Sequence, residues 1–291
     1  MSYIKGERLE DLVNEALEED IGKKDITTEL LIPKNKAVKA IILAKEECVV
    51  CGINIAALVF KALDKKIKFK SHLHDGAKVK KGKVIAFVSG NARSILSAER
   101  AALNFITFLS GIATKTRKFV EAVRPYNVKI LDTRKTIPGW RLLQKYAVRV
   151  GGGFNHRLSL EEMIMVKDNH LAALCAVRYA PCVKEIIEQV KKSKYRNRKI
   201  EIEVTNLKEF KEALKASPDI IMLDNMKIKD IKRAAIIKRK THNAKRITLL
   251  EASGGITLKR IRKIASTGVD LISIGEMTHS VDSVDISLEI I

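Results

Sequence analysis

Aromatic residues are scarce in this chain of 291 residues: Phe, Trp and Tyr together make up 5%, with a single Trp. Binding unpaired nucleic-acid bases calls for aromatic side chains interleaved with basic ones, so a single-strand binder is disfavoured. Cysteine is also sparse, four in all, which excludes a disulfide framework. No uninterrupted apolar run approaches the ~18–20 residues needed to cross a bilayer; the longest, near Leu171 to Val177, is soon broken. The opening Met1-Ser2-Tyr3-Ile4-Lys5-Gly6-Glu7-Arg8 has no apolar core of a signal peptide. Acidic residues fall short as well: 55 Lys+Arg against 34 Asp+Glu leave a net charge of +21. Such a surface attracts anions, whether phosphate esters, carboxylates, nucleic acid or acidic lipid. What is present is a hydrophobic share of 46%, enough for a sizeable core in one large domain or two. The expectation is a cytoplasmic protein with no membrane partner.

Two rhythms divide the chain. Residues 6–20 carry Leu9, Leu12, Val13, Ala16 and Leu17 at the spacing of an amphipathic helix. From about 37 to 90, strands are expected at Ala37 to Leu43, Ile67 to Phe69 and Val84 to Val88, with a helix from Gly52 to Leu63 and hairpin chemistry at Asp75 to Gly82. A long helix follows from Ser94 to Val123 and Pro125 ends it. Six short apolar runs then alternate with helical patterns at 139–149, 206–216, 227–239 and 257–266. The runs are 128–131, 163–166, 200–204, 220–223, 247–250 and 271–274. Strands alternating with helices predict a parallel sheet, rolled into a barrel. The fold class expected is therefore α/β: a first domain, 1–110, with an antiparallel sheet, rejoined by 280–291, and a second, 111–279, with a barrel-like parallel sheet of about six or seven strands.

The strand ends carry the chemistry. The first run leads into Asp132-Thr133-Arg134-Lys135-Thr136, the second into Lys167-Asp168-Asn169-His170. The third holds Glu201 and Glu203; the fourth leads into Asp224-Asn225, the fifth into Glu251-Ala252-Ser253-Gly254-Gly255, the sixth into Gly275. In parallel α/β folds, loops at the carboxyl ends of strands converge on one site; scattered surface charge would favour neither end. Arg134, Lys135, Arg157 and Lys167 supply cations, and Glu203 and Asp224 supply carboxylates. Arginine suits planar carboxylates and lysine suits phosphate. Gly151-Gly152-Gly153 and Ser253-Gly254-Gly255 would let backbone N–H groups approach an anion, the second at the start of a helix. Two carboxylates beside phosphate-binding groups suggest Mg²⁺, sugar hydroxyls, or both. Glu201 and Glu203 share a strand face; Glu203, nearer the carboxyl end, is the site candidate, with Glu201 a deeper supporting group.

Six segments together give the chain a close resemblance to the quinolinate phosphoribosyltransferase family, also called nicotinate-nucleotide pyrophosphorylase (carboxylating). They are LDTRKTIPGW (131–140), KYAVRVGGGFNHR (145–157), VKDNHL (166–171), MLDN (222–225), EASGGI (251–256) and SIGEMTHS (273–280). Ser97 to Asn104 also matches the helix between the family's domains. The resemblance runs from about residue 8 to the end and implies an N-terminal α/β sandwich followed by an incomplete, open α/β barrel. It implies transfer from 5-phosphoribosyl 1-diphosphate to quinolinate with decarboxylation, in NAD biosynthesis, by a Mg²⁺-dependent homodimer with shared active sites; larger assembly, such as a hexamer, is left open. It also implies roles. Arg134, His156, Arg157 and Lys167 would bind quinolinate, with Arg100 reaching over from the other subunit. Thr133 would be among the substrate-binding residues, and Lys135 would contact the phosphoribosyl diphosphate. Glu203 and Asp224 would hold the ribose and metal, largely through substrate and water. Ser253, Gly254, Gly255, Ile274, Gly275 and His279 would hold the 5′-phosphate. Lys135, Lys167, Glu203 and Asp224 are the expected catalytic groups.

Other features have plainer readings. Cys48-Val49-Val50-Cys51 has no second pair at metal spacing, since Cys175 and Cys182 are seven apart. His72 and His74 read as exposed strand residues. The lysine-rich stretches 191–198 and 238–240 read as solvated helix faces, with no specific nucleic-acid partner expected. Trp140 reads as a packing residue. Competing functions are a related phosphoribosyltransferase acting on another base, such as the molybdenum-transport-linked relative, a Schiff-base barrel aldolase using Lys167 or Lys135, and a nucleic-acid-binding protein.

Overall fold

The computed structural model describes residues 6–174, 179–241 and 248–291. The chain divides into two compact units, residues 1–117 with 137–152 and 280–291, and residues 118–136 with 153–279. The segment 137–152, read from sequence as barrel, thus belongs to the first unit.

The first unit begins with α1 (Gly6–Ile21) and α2 (Ile26–Leu31). The α2 start is set by Asp25, whose carboxylate accepts from Thr28 N at 2.9 Å; those hydrogen bonds hold the Asp25 pKa below its usual value. Then come β1 (Ala37–Ala44), β2 (Cys48–Val49), α3 (Ile53–Leu63), β3 (Lys68–Lys70), β4 (Lys78–Val79), β5 (Val84–Asn91) and α4 (Ala92–Val123). The strand Ile286–Ile290 pairs antiparallel with β1, which pairs with β5, which pairs with β3. Along β1, Ala40, Ile42 and Ala44 alternate inward and are fully buried. The expected turn at 75–82 does not close a simple hairpin: β4 leaves to pair with β2, while β3 and β5 pair directly. His72 and His74 are exposed, as expected, but in the loop before β4 rather than on a strand.

Helix α4 is the one helix among the described residues long and apolar enough to cross a membrane, yet 61% of its most apolar window is buried; Ile95, Ile106, Leu109 and Ile112 are core. Helix α5 (Arg141–Val150) packs in this unit too. Trp140, at its start, stacks on Phe105 with ring centroids 4.8 Å apart and meets Phe108 edge-on, a packing role as expected. The α5–α4 approach depends on Gly151, where a Cβ would lie 2.6 Å from Ala113 O and Thr116 Cβ.

The second unit contains β6 (Lys129–Leu131), β7 (Ile164–Val166), α6 (Asp168–Leu174), α7 (Tyr179–Lys192), β8 (Ile200–Val204), α8 (Leu207–Ala216), β9 (Ile220–Asp224), α9 (Ile228–Lys240), β10 (Leu249–Ser253), α10 (Leu258–Ala265), β11 (Leu271–Ser273) and α11 (Glu276–His279). Its sheet runs β6-β11-β10-β9-β8-β7, parallel throughout. The end strands β6 and β7 do not pair with each other, so the barrel is open, with six strands. Phe154 extends the β6 edge through a parallel bridge to Leu131. Strand β8 is buried along its whole length, as expected where helices cover a parallel sheet. Local chemistry sets the helix starts: Asn206 accepts from Lys208 N and Glu209 N to begin α8, and Glu209 reaches back to Thr205 N at 2.9 Å. The stretch 172–198, read as an insertion, supplies the end of α6 and all of α7, but Cys175 falls outside the described residues, as does Ile247 of the expected fifth strand.

Candidate active site

The second unit has a cavity of about 810 Å³ at the carboxyl ends of its strands, lined by residues that follow every strand of the sheet. Thr133, Arg134 and Lys135 enter after β6, Lys167 after β7, Glu203 from β8, Asp224 and Asn225 from the end of β9, and Ser253 to Thr257 from β10 onward. Ile274, Gly275 and His279 complete it beyond β11, and His156 and Arg157 come from the segment beside β6. Every site residue expected from sequence therefore lies in this cavity except Arg100. Arg100 is exposed on α4, in the first unit, whereas the cavity is built by the second unit alone. Gly151, Gly152 and Gly153 do not line the cavity: the Gly151 and Gly152 amides donate to Ala147 O and Arg149 O and close α5. Gly151 and Gly152 serve helix packing and a turn.

One part of the cavity lining is cationic. Arg134 Nε is buried and has no hydrogen-bond partner among the described residues. Arg157 donates through Nη1 to Met163 O at 3.1 Å. Burial and the neighbouring Arg134 charge lower the Arg157 pKa, against the pull of Glu201. Two partly desolvated guanidinium groups held close together favour a bound anion that neutralises both. Lys167 Nζ donates to Glu203 Oε2 at 2.7 Å, a pair that is exposed on the lysine side and buried on the carboxylate side.

Another part of the lining relies on backbone. Gly254 (φ +88°) and Gly255 (φ +54°) adopt the left-handed conformation that glycine favours. At Gly254 a Cβ would also lie 2.3 Å from Asn225 Oδ1. Asn225, itself left-handed at φ 51°, donates to Asp224 Oδ2 at 2.8 Å, so it packs against the glycine loop and orients the carboxylate together. The loop leads into α10 through Thr257, and the helix N-terminus adds its partial positive charge. Gly275 is needed for close approach too: a Cβ there would meet the His279 ring at 3.0 Å and Lys135 Cδ at 3.1 Å. Thr278 Oγ1 donates to Lys135 O at 2.8 Å and steadies the Lys135 segment.

Beneath the rim lies a cluster that the sequence reading assembled only in part. His156 Nε2 is 3.1 Å from Glu201 Oε2 and 3.7 Å from Glu251 Oε2, and both glutamates are completely buried. Burial and the nearby Glu201 push the Glu251 pKa up to about 8, with His156 opposing. Glu251 was missed as a partner of the site. Its signal is spacing: it stands two residues before Ser253, as Glu201 stands two before Glu203, so each shares a strand face with a cavity residue, and pairing through Met222 sets Glu251 level with Glu203.

The chain matches the quinolinate phosphoribosyl transferase N-terminal domain over residues 25–110 and the C-terminal domain over residues 112–289. A protein of Methanocaldococcus jannaschii described as a probable carboxylating nicotinate-nucleotide pyrophosphorylase is 44% identical over 286 residues, covering 96% of either chain. The mitochondrial decarboxylating quinolinate phosphoribosyltransferase 2 of Nicotiana glauca is 40% identical over 97% of this chain and 82% of its own. The solved nicotinate-nucleotide pyrophosphorylase of Francisella tularensis superposes with a TM-score of 0.89 at 41% identity, over 99% of this chain and 98% of the other. Fold, cavity and sequence thus converge, and the chain belongs to the quinolinate phosphoribosyltransferase family.

Proposed function

We propose that this chain is the decarboxylating enzyme of that family, a pentosyltransferase of NAD biosynthesis. It transfers the phosphoribosyl group of 5-phosphoribosyl 1-diphosphate to quinolinate, giving nicotinate mononucleotide, diphosphate and carbon dioxide. The observation that carries this reading is one cavity lined both by the cations Arg134, Arg157 and Lys167 and by the glycine loops at Gly254-Gly255 and Gly275. The first suits an aromatic diacid, the second a 5′-phosphate.

In this reading Arg134, Arg157 and Lys167 hold the two quinolinate carboxylates and aim the pyridine nitrogen at the anomeric carbon, so that placement supplies much of the rate. His156 shapes this end of the pocket. Ser253, Gly254, Gly255, Ile274, Gly275 and His279 hold the 5′-phosphate, and Thr133 lies beside Lys135. The C–N bond forms as the C–O bond to diphosphate breaks, and Lys135 stabilises the departing charge. Such preorganised charge commonly contributes roughly 3–4 kcal/mol per group. The alkylated ring is cationic, so loss of the adjacent carboxylate as carbon dioxide leaves electrons that this cation stabilises; a proton from solvent completes the product. Glu203 and Asp224 face the cavity as hard oxygen donors, a set that suits Mg²⁺. When bound, Mg²⁺ would neutralise diphosphate charge.

The assembly belongs to the proposal as well: a homodimer in which the partner's copy of Arg100 joins the arginine-lined end of the cavity. Free, buried Cys48 and Cys51 accord with a reducing cytoplasm. Lys167 Nζ is held by Glu203 Oε2 at 2.7 Å, an engagement that disfavours the Schiff-base alternative.

The test is incubation with quinolinate, 5-phosphoribosyl 1-diphosphate and Mg²⁺. Nicotinate mononucleotide and carbon dioxide should appear in equal amounts, and nicotinate, which lacks the second carboxylate, should not replace quinolinate. Failure to form product with active, folded protein would overturn the reading.

A further inference from the structure

The buried cluster behind the cationic end has a role that the transfer chemistry leaves unassigned. The two ring nitrogens of His156 face different neighbours. Arg157 N donates to Nδ1 at 2.8 Å, so Nδ1 is an acceptor and carries no proton. Nε2 faces Glu201 Oε2 at 3.1 Å and Glu251 Oε2 at 3.7 Å. Neither Glu201 oxygen has a well-aligned donor among the described residues, and a buried carboxylate without one is costly. A proton on Nε2, directed at Glu201, meets that need. The segment is held from its other side by Asp132, completely buried, which accepts from His156 N at 2.8 Å and from Asn155 Nδ2 at 2.6 Å.

Accordingly, we infer that Glu201 and Glu251 are positioning residues that act through His156: they fix its imidazole as the Nε2–H tautomer, leaving Nδ1 as the acceptor that holds the Arg157 backbone in place. His156 is then a strut between the buried carboxylates and Arg157, and not an ionic ligand of the acid. This deepens the proposed function and rests on its reading of Arg157 as an acid-binding group. The raised pKa of Glu251 agrees with it, since a protonated Glu251 leaves Glu201 as the acceptor for a single N–H. A metal ion in the cluster would instead require Nε2 to be a bare lone pair.

The experiment is nitrogen-15 NMR of histidine-labelled protein at neutral pH, with the His156 signals identified by their loss in His156→Asn. The expected spectrum has Nε2 protonated and Nδ1 unprotonated, in the free protein and unchanged by saturating quinolinate. Glu201→Gln keeps an acceptor oxygen and should preserve the tautomer, with a quinolinate KM within about twofold of the parent. Glu201→Leu should lose the fixed tautomer and raise the quinolinate KM about tenfold or more, the scale of one lost buried hydrogen bond, while the phosphoribosyl diphosphate KM stays within about twofold. An imidazolium, an Nδ1–H tautomer, or a ring nitrogen that shifts when quinolinate binds would overturn the inference. So would an Nε2 that gains its proton only after metal chelation, or equal KM changes for both substrates. Because the tautomer is read in the free protein, its outcome is independent of whether nicotinate mononucleotide is formed.

Discussion

In the proposed reading, two parts of the cavity lining hold anions by opposite means. In one the charges are on long side chains, Arg134, Arg157 and Lys167, kept in place by neighbours such as Met163 O and Glu203. In the other the groups are backbone amides, and the side chains that matter most are those absent at Gly254, Gly255 and Gly275. The difference teaches that the same function can be lost by deleting an atom at one end and by adding one at the other. It also predicts that damage at either end is selective for one substrate.

The largest effect is expected between the two ends. Lys135→Ala removes the cation assigned to the leaving diphosphate and should lower kcat by about 10²–10³-fold, with the quinolinate KM little changed; steady-state kinetics would check it. At the backbone end, Gly254→Ala forces a Cβ against Asn225 Oδ1 and strains a left-handed residue. The phosphoribosyl diphosphate KM should rise about tenfold or more, and a matching rise for quinolinate would erase the proposed division. The side-chain end is sharpened by subunit mixing. Arg100→Ala and Lys167→Ala proteins, each inactive, should recover up to about a quarter of parental activity after exchange if two-fold symmetric sites are shared. No recovery despite demonstrated exchange would remove Arg100 from the site.

A further effect, outside catalysis, is on stability. Glu251 has a folded pKa of about 8 against an ordinary 4.5, so the folded state keeps a proton that the unfolded state releases. Its contribution is complete below pH 4.5 and is lost as pH rises towards about 8, levelling off above. Glu251→Gln should flatten this part of the melting-temperature profile, as thermal denaturation across that range would show.

Much of this was legible because a parallel sheet sends its loops to one rim. Arg134, Lys167, Glu203, Asp224 and Ser253 each follow or end an apolar run, and the cavity gathers them all. A parallel sheet of six or seven strands followed from the same alternation, whereas its open edge came only with the family resemblance. Three kinds of feature were not legible. The β2–β4 pair is only two residues long on each side, too short for any periodicity. Gly151 to Gly153 looked like an anion loop because glycine serves close packing and anion approach alike, and only the contact with Ala113 and Thr116 distinguishes them. The buried cluster needed three dimensions: Glu201 and Glu251 are fifty residues apart, yet His156 Nε2 lies within 3.1 and 3.7 Å of them.

The selectivity of the two ends is tested most directly by calorimetric binding of each substrate alone to Arg134→Ala protein. The account predicts quinolinate affinity weakened by about 10²-fold, the scale of a lost buried charge partner, with phosphoribosyl diphosphate affinity close to that of the parent. Equal weakening of both ligands, or undiminished quinolinate binding, would contradict it.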